Sequence, residues 1–143
     1  MYNAYPYLTY NILVWGGTYL THLEPIIVQQ KRAIRTIKNL PLMSHTNEHF
    51  KTLGILKFID LYKFHVLLYM YRFKDSPQFA RTHNFNTRNS SSLLSSFNRI
   101  EQCQHSVSFT GPSLWNRLTD DLKALDTVSK FKFALKQHFL DKY

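Results

Sequence analysis

Between Leu61 and Phe73 the chain holds a helix-length run that is apolar on nearly every side, interrupted only by Lys63, His65 and Arg72. A helix of that kind has no face to offer water, so other elements must surround it or a partner must cover it. Phe58 or Asp60 opens it and Pro77 closes it. Whatever this chain folds into has to be organised around that segment.

The segment expected to pack beside it runs from about Thr21 to Lys38. Leu23, Ile26, Ile27, Ala33, Ile34 and Ile37 recur at helical spacing and form one stripe, with Lys31, Arg32, Arg35 and Lys38 largely on another face. Thr21 and Glu24 have capping-box spacing, which would leave Pro25 in the first turn, where its missing donor costs little. Asn39-Leu40-Pro41 stops this helix. A short helix is expected from Asn47 to Leu53 with Gly54 as its stop, another from Pro6 to about Trp15 ended by Gly16-Gly17, and a last one from Ser129. In that last helix Val128 is placed to staple onto Phe133; Phe131, Ala134, Leu135 and His138 face inward, and Lys130, Lys132 and Lys136 outward. Ser106-Val107-Ser108-Phe109 alternates and predicts a short strand near residue 107. Gly111-Pro112 reads as a turn into one helical turn at Ser113–Asn116. The expected fold is mainly α: five to six helices in a small irregular bundle. Residues 1–76 form a helical region, 77–105 a Ser/Asn-rich linker with extended pieces, and 106–143 a helical tail.

Nine Tyr and eleven Phe make much of the packing aromatic and argue against disorder. Lys and Arg number 18 against nine acidic residues, a formal net charge of +9 that favours phosphate backbones, anionic surfaces or acidic proteins as partners. No charged residue precedes Glu24. That start lacks the basic region of a signal peptide, and Asn3, Thr9, Asn11, Gly16, Gly17, Thr18 and Thr21 interrupt it too often for a membrane span. An intracellular protein with no membrane partner is expected. A charge-free, Tyr-rich start is more comfortable packed against further protein. Cys103 is the only cysteine, so no internal disulfide can form.

A series of short strings runs through the chain in a fixed order. Tyr5-Pro6-Tyr7-Leu8-Thr9-Tyr10 and Val14-Trp15-Gly16 come first, then Gln30-Lys31-Arg32-Ala33-Ile34-Arg35-Thr36-Ile37 and His45. Leu53-Gly54-Ile55-Leu56, Asp60-Leu61-Tyr62-Lys63, Leu68-Tyr69-Met70-Tyr71-Arg72-Phe73 and Thr87-Arg88-Asn89 follow. Gly111-Pro112-Ser113-Leu114-Trp115-Asn116 and Phe131-Lys132-Phe133-Ala134-Leu135-Lys136 complete the series. Over nearly the whole chain this order resembles the region after the polymerase core in jockey-like non-LTR retrotransposon reverse transcriptases, which are RNA-directed DNA polymerases. The resemblance implies a thumb-adjacent, nucleic-acid-facing tail whose natural partner within the polyprotein is the polymerase core. The stretch between Pro77 and Thr87 is shorter than the family's, as in a degenerate copy, and Met1 falls where the family continues from its thumb.

The family's chemistry does not come with the resemblance. Polymerisation needs carboxylates that hold two divalent metals, Mg²⁺ in this family. The one adjacent pair here, Asp120-Asp121, lies in the tail and reads as a helix start, where acidic side chains complement the dipole. No enzyme activity, cofactor or small-molecule substrate is therefore expected. His45-Thr46-Asn47-Glu48-His49 matches a zinc-peptidase pattern in form, but Ser44, Thr46 and Asn47 are helix-starting residues that put His45 outside the helix, and a pattern this short arises easily by chance. Cys103 and His105 are too close in sequence to aim at each other and have no orienting acid. Trp15, Trp115 and the other aromatics could stack on bases, although core packing is the simpler reading.

Lys31, Arg32, Arg35 and Lys38 are the preferred phosphate contacts, because their spacing places four cations on one broad helix surface that can follow a nucleic-acid backbone. An ordinary solvated face is the simpler reading of the charges alone, and it is the resemblance that raises the functional one. Arg72 and Arg88, with Lys74 and Arg81, would extend the path if the fold brings them round. A second reading makes the chain a protein-interaction or scaffold module that uses the apolar face of Tyr2 to Trp15.

Overall fold

The computed structural model describes residues 5–79, 92–94 and 99–143. Its helices are α1 (Tyr5–Thr9), α2 (Ile12–Trp15), α3 (Leu20–Lys38), α4 (Asn47–Leu53), α5 (Phe58–Phe73), α6 (Glu101–Gln104), α7 (Val107–Asn116), α8 (Asp120–Lys123) and α9 (Val128–Leu140). A single 3₁₀ turn covers Pro77–Phe79. The fold is mainly α. Five of the helices have seven or more residues, and the others are single turns.

α5 is the axis of the bundle, as its all-round apolar sequence requires. Phe58, Leu61, Tyr62, Phe64, Val66, Leu67 and Met70 are buried along it, and α2, α3, α7 and α9 pack against it. One core joins the N-terminal and C-terminal parts: Ile12, Leu23 and Leu56 belong to the same cluster as Trp115, Phe131, Leu135 and Phe139. Its centre is aromatic. Tyr71 stacks on Phe131 at 4.4 Å, and Trp115 lies 5.9 Å from the same ring. α9 docks on α5 through Phe131 and Leu135, with Lys130, Lys132 and Lys136 exposed, as its pattern predicts.

Local stop signals explain several boundaries. Gly54 ends α4 with φ of 63°, a left-handed conformation that a residue with a Cβ adopts only at a cost. Thr127 caps α9, its hydroxyl accepting from the Lys130 N–H at 3.4 Å.

The structure corrects other expectations. The first helix is two pieces, broken at Asn11, whose φ is 48°. The expected strand at residue 107 is the first turn of α7, and Gly111 and Pro112 sit inside that helix. The alternation was only four residues long and gave no real period. A Cβ on Gly111 would lie 2.5 Å from Met70 Sδ, so glycine here is what lets α7 press against α5. It acts as a contact residue, and the helix continues through it. Thr21 does not cap α3: the helix begins one residue earlier, no side chain caps it, and Pro25 falls inside it. Only Leu23 and Ile34 of the expected α3 stripe are buried; Ile26 and Ile27 are half-buried, and Ala33 and Ile37 are exposed. α3 therefore lies along the side of the bundle and shares less of its centre than expected. Val128 belongs to α9, and Phe133 is exposed, so the proposed staple does not form. Parts of the expected linker are tied to the body: Phe79 is buried, and Asn116 both accepts from the Leu93 N–H (2.9 Å) and donates to the Leu93 carbonyl (3.0 Å). Most of Asn84–Ser96 lies outside the described residues.

His65 provides a test of this packing. Its Nε2 is buried without a hydrogen-bond partner. Burial, and secondarily Lys132 on α9, holds the imidazole below its usual 6.5. A depressed folded-state pKa contributes stability that is present above the unfolded value and is lost as pH falls through the folded one. We expect the urea midpoint to fall as pH drops from 6.5 toward about 5, with His65→Phe reducing that fall. An unchanged pH dependence in the variant would contradict it.

Candidate nucleic-acid interface

α3 carries the candidate contacts and is fixed to the body through Gln30. The Gln30 side-chain amide donates from Nε2 to the Leu56 carbonyl at 2.9 Å, and its Oε1 accepts from the Phe58 N–H at 2.9 Å. It thus pairs with backbone on both sides of Lys57, in the connection between α4 and α5. Tyr143 holds the same connection from the other direction. Its hydroxyl accepts from the Lys57 N–H at 2.9 Å and donates to Asp60 Oδ2 at 2.8 Å. Lys57 Nζ lies 3.9 Å from the centre of the Tyr143 ring. Burial is the main cause of a Tyr143 pKa raised well above its usual value, so the hydroxyl stays protonated and able to donate.

Helix geometry places Lys31, Arg35 and Lys38 on one side of α3, at i, i+4 and i+7, with Arg32 about a quarter-turn away. Lys31 and Arg32 are exposed; Arg35 and Lys38 are half-buried. Among the described residues none of the four is in an ion pair; the pairs present are Lys51–Asp141, Lys63–Asp60 and Lys123–Asp120. Arg35 donates from Nε to the Ser44 carbonyl at 3.2 Å, which orients the guanidinium and leaves its two terminal NH₂ groups for other acceptors. Below Lys31 a cleft of about 300 Å³ opens between α3, α4 and the start of α5, lined by Ile27, Asn47, Phe50 and Ile59 among others.

Arg72 and Lys74 do not gather here. Arg72 is exposed in the last turn of α5, about 20 Å along that helix from the end where Lys31 sits. Lys74 lies over the rings of Tyr71 and Trp115 at 5.8 and 5.6 Å, on the far side of the core. Arg81 and Arg88 lie outside the described residues.

The remaining motifs take structural positions. His45 precedes α4 and His49 lies within it, so the two do not share a helical face. Among the described residues no three His, Cys, Asp or Glu side chains are grouped to hold a metal. Asp120 and Asp121 open α8, where Asp120 pairs with Lys123 at 3.1 Å. Cys103 is exposed, and the His105 ring meets Tyr19 edge-on at 4.7 Å. Trp15 stacks on Phe58 at 5.2 Å and donates from Nε1 to the Tyr10 carbonyl, while Trp115 is buried. Core packing thus claims both tryptophans.

Set against known proteins, the chain matches no family model, no curated protein and no solved structure.

Gln30 was invisible as a functional residue in the sequence, where a glutamine on a basic helix reads as ordinary polar surface. We expect Gln30→Ala to destabilise the fold by about 1–3 kcal/mol, because it strands a backbone donor and an acceptor that are partly buried. The neighbouring exposed Gln29→Ala should be close to neutral. Equal urea midpoints for the two variants would contradict the clamp.

Proposed function

We propose that the chain is the tail of a jockey-like non-LTR retrotransposon reverse transcriptase, without polymerase activity of its own, which grips RNA or DNA through α3. The observation that carries this reading is the set of Lys31, Arg32, Arg35 and Lys38 on one 19-residue helix, unpaired by carboxylates among the described residues. The ordered strings that resemble the family supply the context, and the net charge of +9 supplies long-range attraction. In this reading the polymerase core is the tail's partner within the polyprotein, and the site of action is the cytoplasm or nucleus. The catalytic Mg²⁺ belongs to that core. No helix among the described residues is long and apolar enough to cross a membrane.

A second reading, a protein-interaction module, is favoured by one observation. Tyr7, Tyr10 and Val14 are 84%, 74% and 82% exposed, an apolar surface at the charge-free start of the chain.

A filter-binding titration with single-stranded RNA at rising salt separates the two. Four cations releasing counterions from a single strand give a slope of log K against log salt of roughly −3. Replacing Lys31, Arg32 and Arg35 by Gln should weaken binding alike for all sequences and flatten that slope by about two. Absent or salt-independent binding would contradict the nucleic-acid reading and leave the apolar surface as the better candidate.

A further inference from the structure

The connection from α3 to α4 ends in a tip built unlike an ordinary surface turn. Ser44 donates to the Pro41 carbonyl from both its N–H (3.1 Å) and its hydroxyl (2.7 Å), which closes a four-residue turn with Leu42 and Met43 at its two central positions. Such positions usually carry Gly, Asn, Asp or Ser. Here Leu42 is 81% exposed and Met43 94% exposed. The turn is also held. Asn39 ends α3 with φ of 54°, its N–H bonded to the carbonyls of Arg35 and Thr36; the Leu40 N–H donates to the Arg35 carbonyl at 2.9 Å; and Arg35 Nε ties Ser44 back to the helix. Two apolar side chains are thus presented to solvent by a braced turn, which the Arg35 guanidinium is bonded to and which follows Lys38 by a few residues.

We propose that Leu42 and Met43 form a wedge that enters a base step of double-stranded nucleic acid while Arg35 and Lys38 hold the adjacent phosphates; this inference rests on the nucleic-acid reading of α3. Apolar wedges of Leu, Met and Pro unstack a step and are favoured where the flanking cations grip the backbone. Charge complementarity selects this occupant. The cations form a line that recedes from the tip along α3, Lys31 lying about 10 Å up the axis from Lys38. A line of that kind follows a phosphate backbone, whereas docking tip-first on a lipid surface would need the cations level with the tip. Pyrimidine–purine steps, which unstack most easily, are the preferred sites.

The test uses the full chain with a short DNA duplex carrying 2-aminopurine beside a central TA step. Wild type should raise the probe's fluorescence on binding, as the base unstacks. Replacing both Leu42 and Met43 by Ser should abolish that rise and weaken binding roughly tenfold, with the salt slope unchanged. Both residues are exposed, so the variant should keep the wild-type melting temperature. Lys31→Gln should flatten the salt slope and keep the fluorescence rise. A Ser variant that binds and unstacks like wild type would overturn the wedge while leaving the nucleic-acid reading of α3 standing. Absence of any duplex or RNA binding by wild type would overturn both. A Met43→Trp variant whose emission shifts to the blue with phosphatidylserine vesicles, and not with the duplex, would also overturn the wedge.

Discussion

The arrangement depends on how α5 begins. An apolar helix that must sit in the middle of the bundle has to start there as well, with first-turn N–H groups that no carbonyl of its own helix can satisfy. The residue before it, Lys57, has no side-chain oxygen with which to cap them. Two distant side chains do so: Gln30 accepts from Phe58, and Tyr143 accepts from Lys57. The same two residues belong to α3 and to the chain's last position, so satisfying the start of the core helix also fixes the elements on either side of it. Gln30 adds a donor to the Leu56 carbonyl, which makes the clamp two-sided.

Clamping α3 at its middle determines what its outer surface can do. With Leu23 and Ile34 inward and Gln30 bonded to the 56–58 connection, Lys31 and Arg32 are held on the exposed side of α3, with Arg35 and Lys38 half-buried beside them. The helix end is braced in turn by Asn39 and by the bond from Arg35 to Ser44, so the backbone of α3 and the Leu42–Met43 tip are tied together. Preorganisation of this kind lowers the ordering cost of binding. It is the physical ground for preferring a function of α3 over an ordinary solvated face.

The sequence revealed those parts of the fold that rest on periodicity or on strong local stops. The Leu61–Phe73 run had only one tenable place, and Gly54 ended α4 where its left-handed backbone was needed. The parts that hid were set by contacts distant in sequence. Gly111 and Pro112 read as breakers because the close approach of α7 to Met70 cannot be seen locally. Leu23 to Ile37 read as one buried stripe, yet α3 lies at the side of the bundle and buries only part of it. The basic positions of α3 were visible from their spacing alone. Gln30, Tyr143 and the braced turn at Pro41–Ser44 were not, because each acts through a partner on another element or through a turn whose central residues are the reverse of the usual preference.

The proposed grip and the alternative apolar contact lie on different surfaces, α3 with its C-terminal turn against Tyr7, Tyr10 and Val14. A chemical-shift titration of the ¹⁵N-labelled chain with a single-stranded RNA at low salt separates them residue by residue. If α3 is the contact, the largest shifts fall on Lys31, Arg32, Arg35 and Lys38, while the Lys57 and Phe58 amides inside the clamp stay in place. Shifts centred on Tyr7 to Val14, or none at any residue of α3, would contradict it.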